Sequence, residues 1–213
     1  MTVQQALEER FSCRHFLERE VPEELLRQVL QEAFCSPSCE NSQPWKVVVA
    51  GPQAMRRIRE GYEQCRKQKI RADLDRRFDG RWAQEMKGRI DAYFDGICAH
   101  EPRGNLDYTL QKRNLFYAPA MIFLCIDKEL PTWSVFDCGI FAQSLMLAAT
   151  ENGLATMPSA VSVSYPQVLH PVLDIPESDR ILIGVGIGYP DPDAPVNTFR
   201  TDRKSVDEIR FIQ

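Results

Sequence analysis

Residues 35–45 of the chain read Cys35-Ser36-Pro37-Ser38-Cys39-Glu40-Asn41-Ser42-Gln43-Pro44-Trp45. The stretch follows a segment with helical periodicity and precedes a run of valines, so we expect a loop between a helix and a strand. Its prolines, serines and amides are typical of tight turns in which side chains bond to the backbone. On composition alone, an ordinary connecting loop would be the simplest interpretation.

A second polar stretch lies upstream, where Arg10, Ser12 and Arg14 alternate with other residues. Two guanidinium groups four residues apart, with a hydroxyl between them, can bind phosphate oxygens in a bidentate manner that lysine cannot match. A solvated surface is the usual alternative for an arginine. Against it, the neighbouring Phe11 and Phe16 predict a partly sheltered edge.

Together the two stretches resemble the nitroreductase family of FMN-dependent flavoproteins. That family has an Arg-x-Ser-x-Arg motif near its start and, after one helix, a Pro-Ser-x-x-Asn-x-Gln-Pro-Trp loop. The loop motif is carried here by Pro37, Ser38, Asn41, Gln43, Pro44 and Trp45. The second half is similar as well, with Ala-Pro at 118–119, Gly-Leu-Ala-Thr at 153–156 and Gly-Tyr-Pro at 188–190. The resemblance covers nearly the whole chain and is weakest over residues 73–110.

Composition sets outer limits on the function. The 213 residues are 44% hydrophobic and 26% charged, with a formal net charge of -4, so nucleic-acid binding gains no support. No run approaches the ~18 apolar residues that a membrane span needs, and the start lacks the pattern of a signal peptide. Seven scattered cysteines predict reduced thiols in a cytoplasmic protein, and three distant histidines argue against a metal site.

Periodicity and turn residues predict the order of the elements. Helices are expected near 2–11, 22–34, 55–69, 82–97, 137–152 and 165–169, with Ser164 as the cap of the last. Strands are expected at 46–50, 118–127, 154–157 and 180–188, the third leading into a turn at 158–160. The basic side of the helix near 55–69 is expected to be solvated, and the tail from residue 191 is expected to lie over another surface.

The resemblance implies an α+β fold of the nitroreductase type. It implies a central mixed, mostly antiparallel sheet flanked by helices, in an intertwined homodimer whose C-terminal tail extends onto the partner. Because the sequence has neither repeats nor low-complexity linkers, residues 1–213 are expected to form a single FMN-binding domain. A helical excursion at about 73–114 interrupts it, and this segment either packs on a partner chain or covers a pocket.

The resemblance also implies how FMN is held. Arg10 and Ser12 bind its phosphate from one end of the chain and Arg203 from the other, with Arg200 as a helper. Arg14 points toward ring N1 and the C2 carbonyl, where a positive charge favours the reduced cofactor. The remaining cofactor-binding residues are Phe11 and Arg113, then Pro37, Ser38 and Asn41 from the opposite subunit, then Pro158, Ser159, Ala160 and Gly188.

For the reaction, the resemblance implies that NAD(P)H gives hydride to flavin N5 and leaves, after which a small aromatic acceptor such as a nitroaromatic or quinone is reduced. No side chain is expected to be catalytic, because the chemistry belongs to the flavin. Phe116, Tyr117 and Tyr165 are candidate stacking surfaces, although plain core packing is the better interpretation for any single one of them. The alternatives are a flavin-fragmenting or dehalogenating relative and a non-catalytic flavin-binding protein.

Overall fold

A four-stranded sheet forms the centre of the fold. The computed structural model describes residues 1–73 and 82–212. The strands are β1 (Lys46–Ala50), β2 (Ala120–Asp127), β3 (Ala155–Ser159) and β4 (Asp179–Gly188). They are arranged in the order β1-β2-β4-β3, and each neighbouring pair is antiparallel. The four predicted strands are confirmed, but Pro158 and Ser159 belong to β3 itself, so the turn begins only at Ala160.

Seven α-helices occur in the described part of the chain. They are α1 (Val3–Glu9), α2 (Glu23–Ala33), α3 (Pro52–Lys67), α4 (Gln84–Ala99), α5 (Asn105–Arg113), α6 (Trp133–Glu151) and α7 (Pro166–Leu173). The capping box predicted for α1 is present, because Thr2 Oγ1 accepts from the Gln5 amide at 3.2 Å while the Thr2 amide donates back to Gln5 Oε1 at 2.8 Å. None of the described helices is long and apolar enough to cross a membrane.

Three helix predictions need correction or completion. Helix α6 begins at Trp133, four residues before the predicted start. Ser164 does not cap α7, because Tyr165 is the capping residue and the Ser164 hydroxyl donates to the Val161 carbonyl at 2.8 Å. The predicted excursion contains α4 and α5, while its residues 74–81 lie outside the described residues.

Helices cover both faces of the sheet. Helices α2 and α6 pack on one face and α3 and α7 on the other. Strand β2 serves both layers, since Ile122 and Leu124 point to the first face and Met121 and Phe123 to the second. This explains why its sequence is continuously apolar rather than alternating. A third cluster lies under α4 and α5.

The basic side of α3 is only partly solvated. Arg56 and Arg57 are exposed as predicted, but Arg59 is not free. Its Nε donates to the Asn114 carbonyl at 3.0 Å and its Nη2 to the Ala118 carbonyl at 2.5 Å. The chain between these two carbonyls has positive φ at 115–117, and the Asn114 carbonyl also accepts from the Tyr117 amide at 3.0 Å. Burial lowers the pKa of Arg59.

Candidate functional site

The segment with Arg10, Ser12 and Arg14 lies along the β3 edge of the sheet. Ser12 forms an isolated parallel bridge with Thr156, and the Cys13 amide donates to the Thr156 carbonyl at 2.9 Å. All the other strand pairs of the described residues are antiparallel. Because Thr156 is two residues before Pro158, the sheet places the N-terminal motif beside the predicted turn at 158–160.

Asn197 fixes the main chain of this segment. Its Oδ1 accepts from the Arg14 amide at 2.9 Å and from the His15 amide at 3.2 Å. Its Nδ2 donates to the His15 carbonyl at 2.7 Å and to the Asp191 carbonyl at 3.0 Å. Asn197 is buried, so each of these bonds is made away from solvent. One side chain from the tail therefore holds the N-terminal motif in place.

The two ends of the chain meet in a cavity of about 390 Å³. It is lined by Arg10, Phe11, Ser12, Arg14, Arg200 and Arg203, together with Leu7, Glu8, Phe199 and Thr201. The Arg200 guanidinium carbon lies 4.3 Å from the centre of the Phe11 ring, a cation–π contact that holds tail and motif together. Six of the residues predicted to bind the cofactor thus lie around one cavity.

The cavity is strongly cationic. Burial and then the nearby charges of Arg203 and Arg200 lower the pKa of Arg10, while burial and Arg14 lower the pKa of Arg200. Within residues 1–73 and 82–212, none of these four arginines forms an ion pair with a carboxylate. An anion placed among them would relieve their mutual repulsion.

Arg14 is the most enclosed of the four, with 4% of its surface exposed. Its Nη1 donates to the Ser12 carbonyl at 2.9 Å and its Nη2 to the Tyr93 hydroxyl at 3.4 Å. Its Nε is buried and has no hydrogen-bond partner among the described residues. A buried donor left without an acceptor costs about 1–3 kcal/mol, so this N–H indicates a place for an acceptor that residues 1–73 and 82–212 do not supply.

The Nitroreductase family model matches residues 7–189. The chain belongs to the nitroreductase family. Nitroreductase NfnB of Mycolicibacterium smegmatis is 30% identical over 206 residues, which cover 93% of this chain and 87% of that protein. The family and the α+β fold expected from the two motifs are thereby confirmed.

Solved structures of nitroreductases are similar over the full length. The FMN-dependent nitroreductase NfnB from Mycobacterium smegmatis in complex with NADPH has 27% identity and a TM-score of 0.84, with 100% of both chains covered. The FMN and NADPH-dependent nitroreductase NfnB from Sphigopyxis sp. strain HMH shares the fold at a TM-score of 0.90, with 24% identity and coverage of 100% and 99%. Iodotyrosine deiodinase 1 of Mus musculus is also similar, at 27% identity over 95% of this chain and 66% of that protein.

The family loop at 35–45 does not line the arginine cavity of its own chain. It is folded on itself, since Ser38 Oγ accepts from the Gln43 amide at 2.9 Å and Asn41 Oδ1 accepts from Gln43 Nε2 at 3.1 Å. The Cys39 amide is 3.3 Å from both carboxylate oxygens of Asp137 at the start of α6. The prediction that Pro37, Ser38 and Asn41 act from the opposite subunit stays a prediction that this separation favours.

Five other predicted residues do not line the cavity, namely Arg113, Pro158, Ser159, Ala160 and Gly188. Arg113 is exposed at the end of α5 and does not line it. Gly188 is required by packing, because a Cβ there would lie 2.7 Å from Pro119 Cγ and 3.0 Å from Phe16 Cδ1. That requirement accounts for this glycine without any contact to a ligand.

Three members of the site were missed by the sequence analysis, namely Asn197, Tyr93 and Phe199. Phe199 lines the cavity, and the centre of its ring lies 5.5 Å from the Arg14 guanidinium carbon. Tyr93, Gly96 and the capping residue His100 lie on one face at the C-terminal end of α4. A glycine between two rings on one face indicates that another group approaches closely there. Nothing comparable marks Asn197, whose partners Arg14 and His15 are 183 and 182 residues away in sequence.

Proposed function

We propose that this protein is an FMN-dependent oxidoreductase that transfers hydride from NAD(P)H to electron-poor acceptors such as nitroaromatics and quinones. One observation carries the proposal: four arginines that have no carboxylate partner among the described residues line a cavity, and the buried Nε–H of one of them finds no acceptor there. A phosphate group and a polar ring edge would satisfy both features. Similarity to an FMN-dependent nitroreductase whose structure was solved in complex with NADPH supports the same reaction.

Different residues of the cavity would bind different parts of the cofactor. Arg10, Ser12 and Arg203 would bind the phosphate, with Arg200 assisting from the surface. Arg14 would face the ring edge, where its fixed positive charge favours the state in which negative charge develops. When bound, FMN would supply hydride transfer at its N5, first from NAD(P)H and then to the acceptor in a two-step reaction.

A second copy of the chain is part of the proposal. The loop at 35–45 does not line the cavity of its own chain, so a partner would supply Pro37, Ser38 and Asn41. Next to this loop, Trp133 and Phe136 at the start of α6 expose 58% and 59% of their surface and contact each other at 5.3 Å between ring centres. Such exposed aromatic residues are typical of interfaces. All seven cysteines are free, which fits the proposed cytoplasmic homodimer.

Anaerobic addition of NADPH tests the reaction. We expect the absorbance of bound FMN to bleach and to return when a nitroarene is added. If neither NADPH nor NADH reduces the bound flavin, the protein is a non-catalytic flavin-binding member of the family. If NADPH reduces it and an iodinated phenol, but no nitroarene or quinone, reoxidises it, the dehalogenase alternative replaces the proposal.

Paired substitutions test the phosphate site. Arg10→Ala and Arg203→Ala each remove a charge-assisted contact of about 1.5–3 kcal/mol, so each is expected to raise the FMN dissociation constant about 10- to 100-fold. Circular dichroism should remain unchanged. Arg57→Ala, an exposed arginine of α3, is the matched control. Full FMN occupancy in the double variant at micromolar cofactor would contradict the assignment.

A further inference from the structure

The helical excursion at about 73–114 places two tyrosines near Arg14. Tyr93 comes from α4 and Tyr108 from α5, and their hydroxyl oxygens are 3.2 Å apart. The Tyr93 oxygen also accepts from Arg14 Nη2 at 3.4 Å. Since the arginine can only donate, the Tyr93 proton is free to point toward Tyr108. A chain of hydrogen bonds thus connects the two excursion helices to the guanidinium in the cavity.

Aromatic rings enclose the same guanidinium. Its carbon lies 5.6 Å from the ring centre of Tyr93 and 5.5 Å from that of Phe199. Phe199 approaches closely because Gly96, one turn after Tyr93, has no side chain at the contact: a Cβ would lie 2.4 Å from Phe199 Cε2. With the Ser12 carbonyl as the other acceptor, the guanidinium plane is fixed by two hydrogen bonds and two rings.

We propose that Tyr93, supported by Tyr108, is a positioning residue that orients the Arg14 guanidinium so that its unsatisfied Nε–H and its charge face the cofactor. The inference rests on the proposed FMN site and extends it to the excursion, for which the sequence left packing on a partner and covering a pocket as alternatives. Without the Tyr93 hydroxyl, Arg14 Nη2 loses its hydrogen bond to that oxygen, and the guanidinium is oriented less strictly by the Ser12 carbonyl and the two rings.

The second tyrosine keeps the charge of Arg14 effective. A tyrosinate next to Arg14 would neutralise it, and burial, followed by the neighbouring Tyr93, raises the pKa of Tyr108. Tyr108 is 4% exposed and stays protonated at neutral pH, so it bonds to Tyr93 without offsetting the arginine. The pair therefore orients a full positive charge rather than a neutral ion pair.

If Tyr93 orients the charge of Arg14, it favours reduced FMN over oxidised FMN, whereas simple packing of Tyr93 favours neither state. Tyr93→Phe keeps the ring and removes only the hydroxyl. We expect the ratio of the dissociation constants of reduced and oxidised FMN to rise about fivefold, the worth of one hydrogen bond. That corresponds to a midpoint potential about 20 mV lower, since tenfold equals about 30 mV for two electrons. Spectroelectrochemical titration of the purified protein measures it.

Controls make each outcome decisive. Tyr189→Phe removes a tyrosine hydroxyl that has no hydrogen bond among the described residues and should leave the potential unchanged. Tyr108→Phe leaves the bond between Arg14 and Tyr93 but removes its support, and a shift in the same direction of about twofold in the ratio is expected. An unchanged ratio in Tyr93→Phe, or in Tyr108→Phe if the first variant does not fold, refutes the proposal. A wild-type protein that takes up no FMN refutes the proposed function instead.

Discussion

Replacing Asn197 by alanine should destabilise the protein far more than removal of one amide normally does. The side chain makes four hydrogen bonds, to the backbone of Arg14, His15 and Asp191. At a net worth of about 1 kcal/mol each, their loss lowers the free energy of unfolding by about 4 kcal/mol. For a chain of this length that is a fall in melting temperature of roughly 8–16 °C.

Urea unfolding followed by tryptophan fluorescence measures this difference, at one protein concentration and one cofactor content, because both influence the apparent stability. Asn105→Ala is the matched control, since Asn105 is exposed at the start of α5 and only accepts from Thr109 Oγ1 at 3.5 Å. Its effect should stay within about 0.5 kcal/mol. A loss below about 1 kcal/mol in Asn197→Ala would show that water replaces the amide and that the tail does not hold the motif.

Two further predictions concern close packing and buried thiols. Gly96→Ala should lower the free energy of unfolding by about 1–2 kcal/mol in thermal unfolding, because its Cβ would lie 2.4 Å from the Phe199 ring. Gly88→Ala, on the same helix and with nothing near its Cβ, should raise the free energy of unfolding by up to about 1 kcal/mol. Equal effects of the two substitutions would contradict the packing around Phe199. Iodoacetamide at pH 8 should label exposed Cys35 within minutes and leave Cys13 unlabelled in mass spectra of the folded protein, since burial raises the pKa of Cys13 from 9.0 to about 12. The Cys13 thiol ionises at a lower pH in the unfolded chain than in the folded protein. Its contribution to stability is therefore complete below pH 9.0 and is lost as the pH rises toward about 12. Unfolding free energies that do not fall over this range would contradict the burial of Cys13.

Local sequence patterns were sufficient for most of the elements. The apolar periodicity of α2 and α3 and the continuous apolar run of β2 each report the surface that the element buries. The ends of elements were less certain, because Ser164 and Pro158 depend on partners outside their own segment. Ser164 has the chemistry of a cap, but its hydroxyl is already used by the Val161 carbonyl.

The residues of the candidate site also differ in whether local sequence patterns could predict their roles. The arginines at 10, 14, 200 and 203 could be assigned because their chemistry is visible in the residue type and in the family motifs. The groups that orient them could not. The charge pattern predicted a solvated face for Arg59, but its guanidinium donates to the carbonyls of Asn114 and Ala118. Likewise, the partner of the Arg14 amide lies 183 residues further along the chain, beyond any local pattern.

The meeting of both chain ends has a consequence for biosynthesis. Residues 10–14 are synthesised well before residues 197–203, so the cavity cannot assemble on the nascent polypeptide until the later segment has been translated. Helices α2 and α3 can form their local contacts well before that moment. Acquisition of a ligand by this cavity would therefore follow the synthesis of residues 197–203.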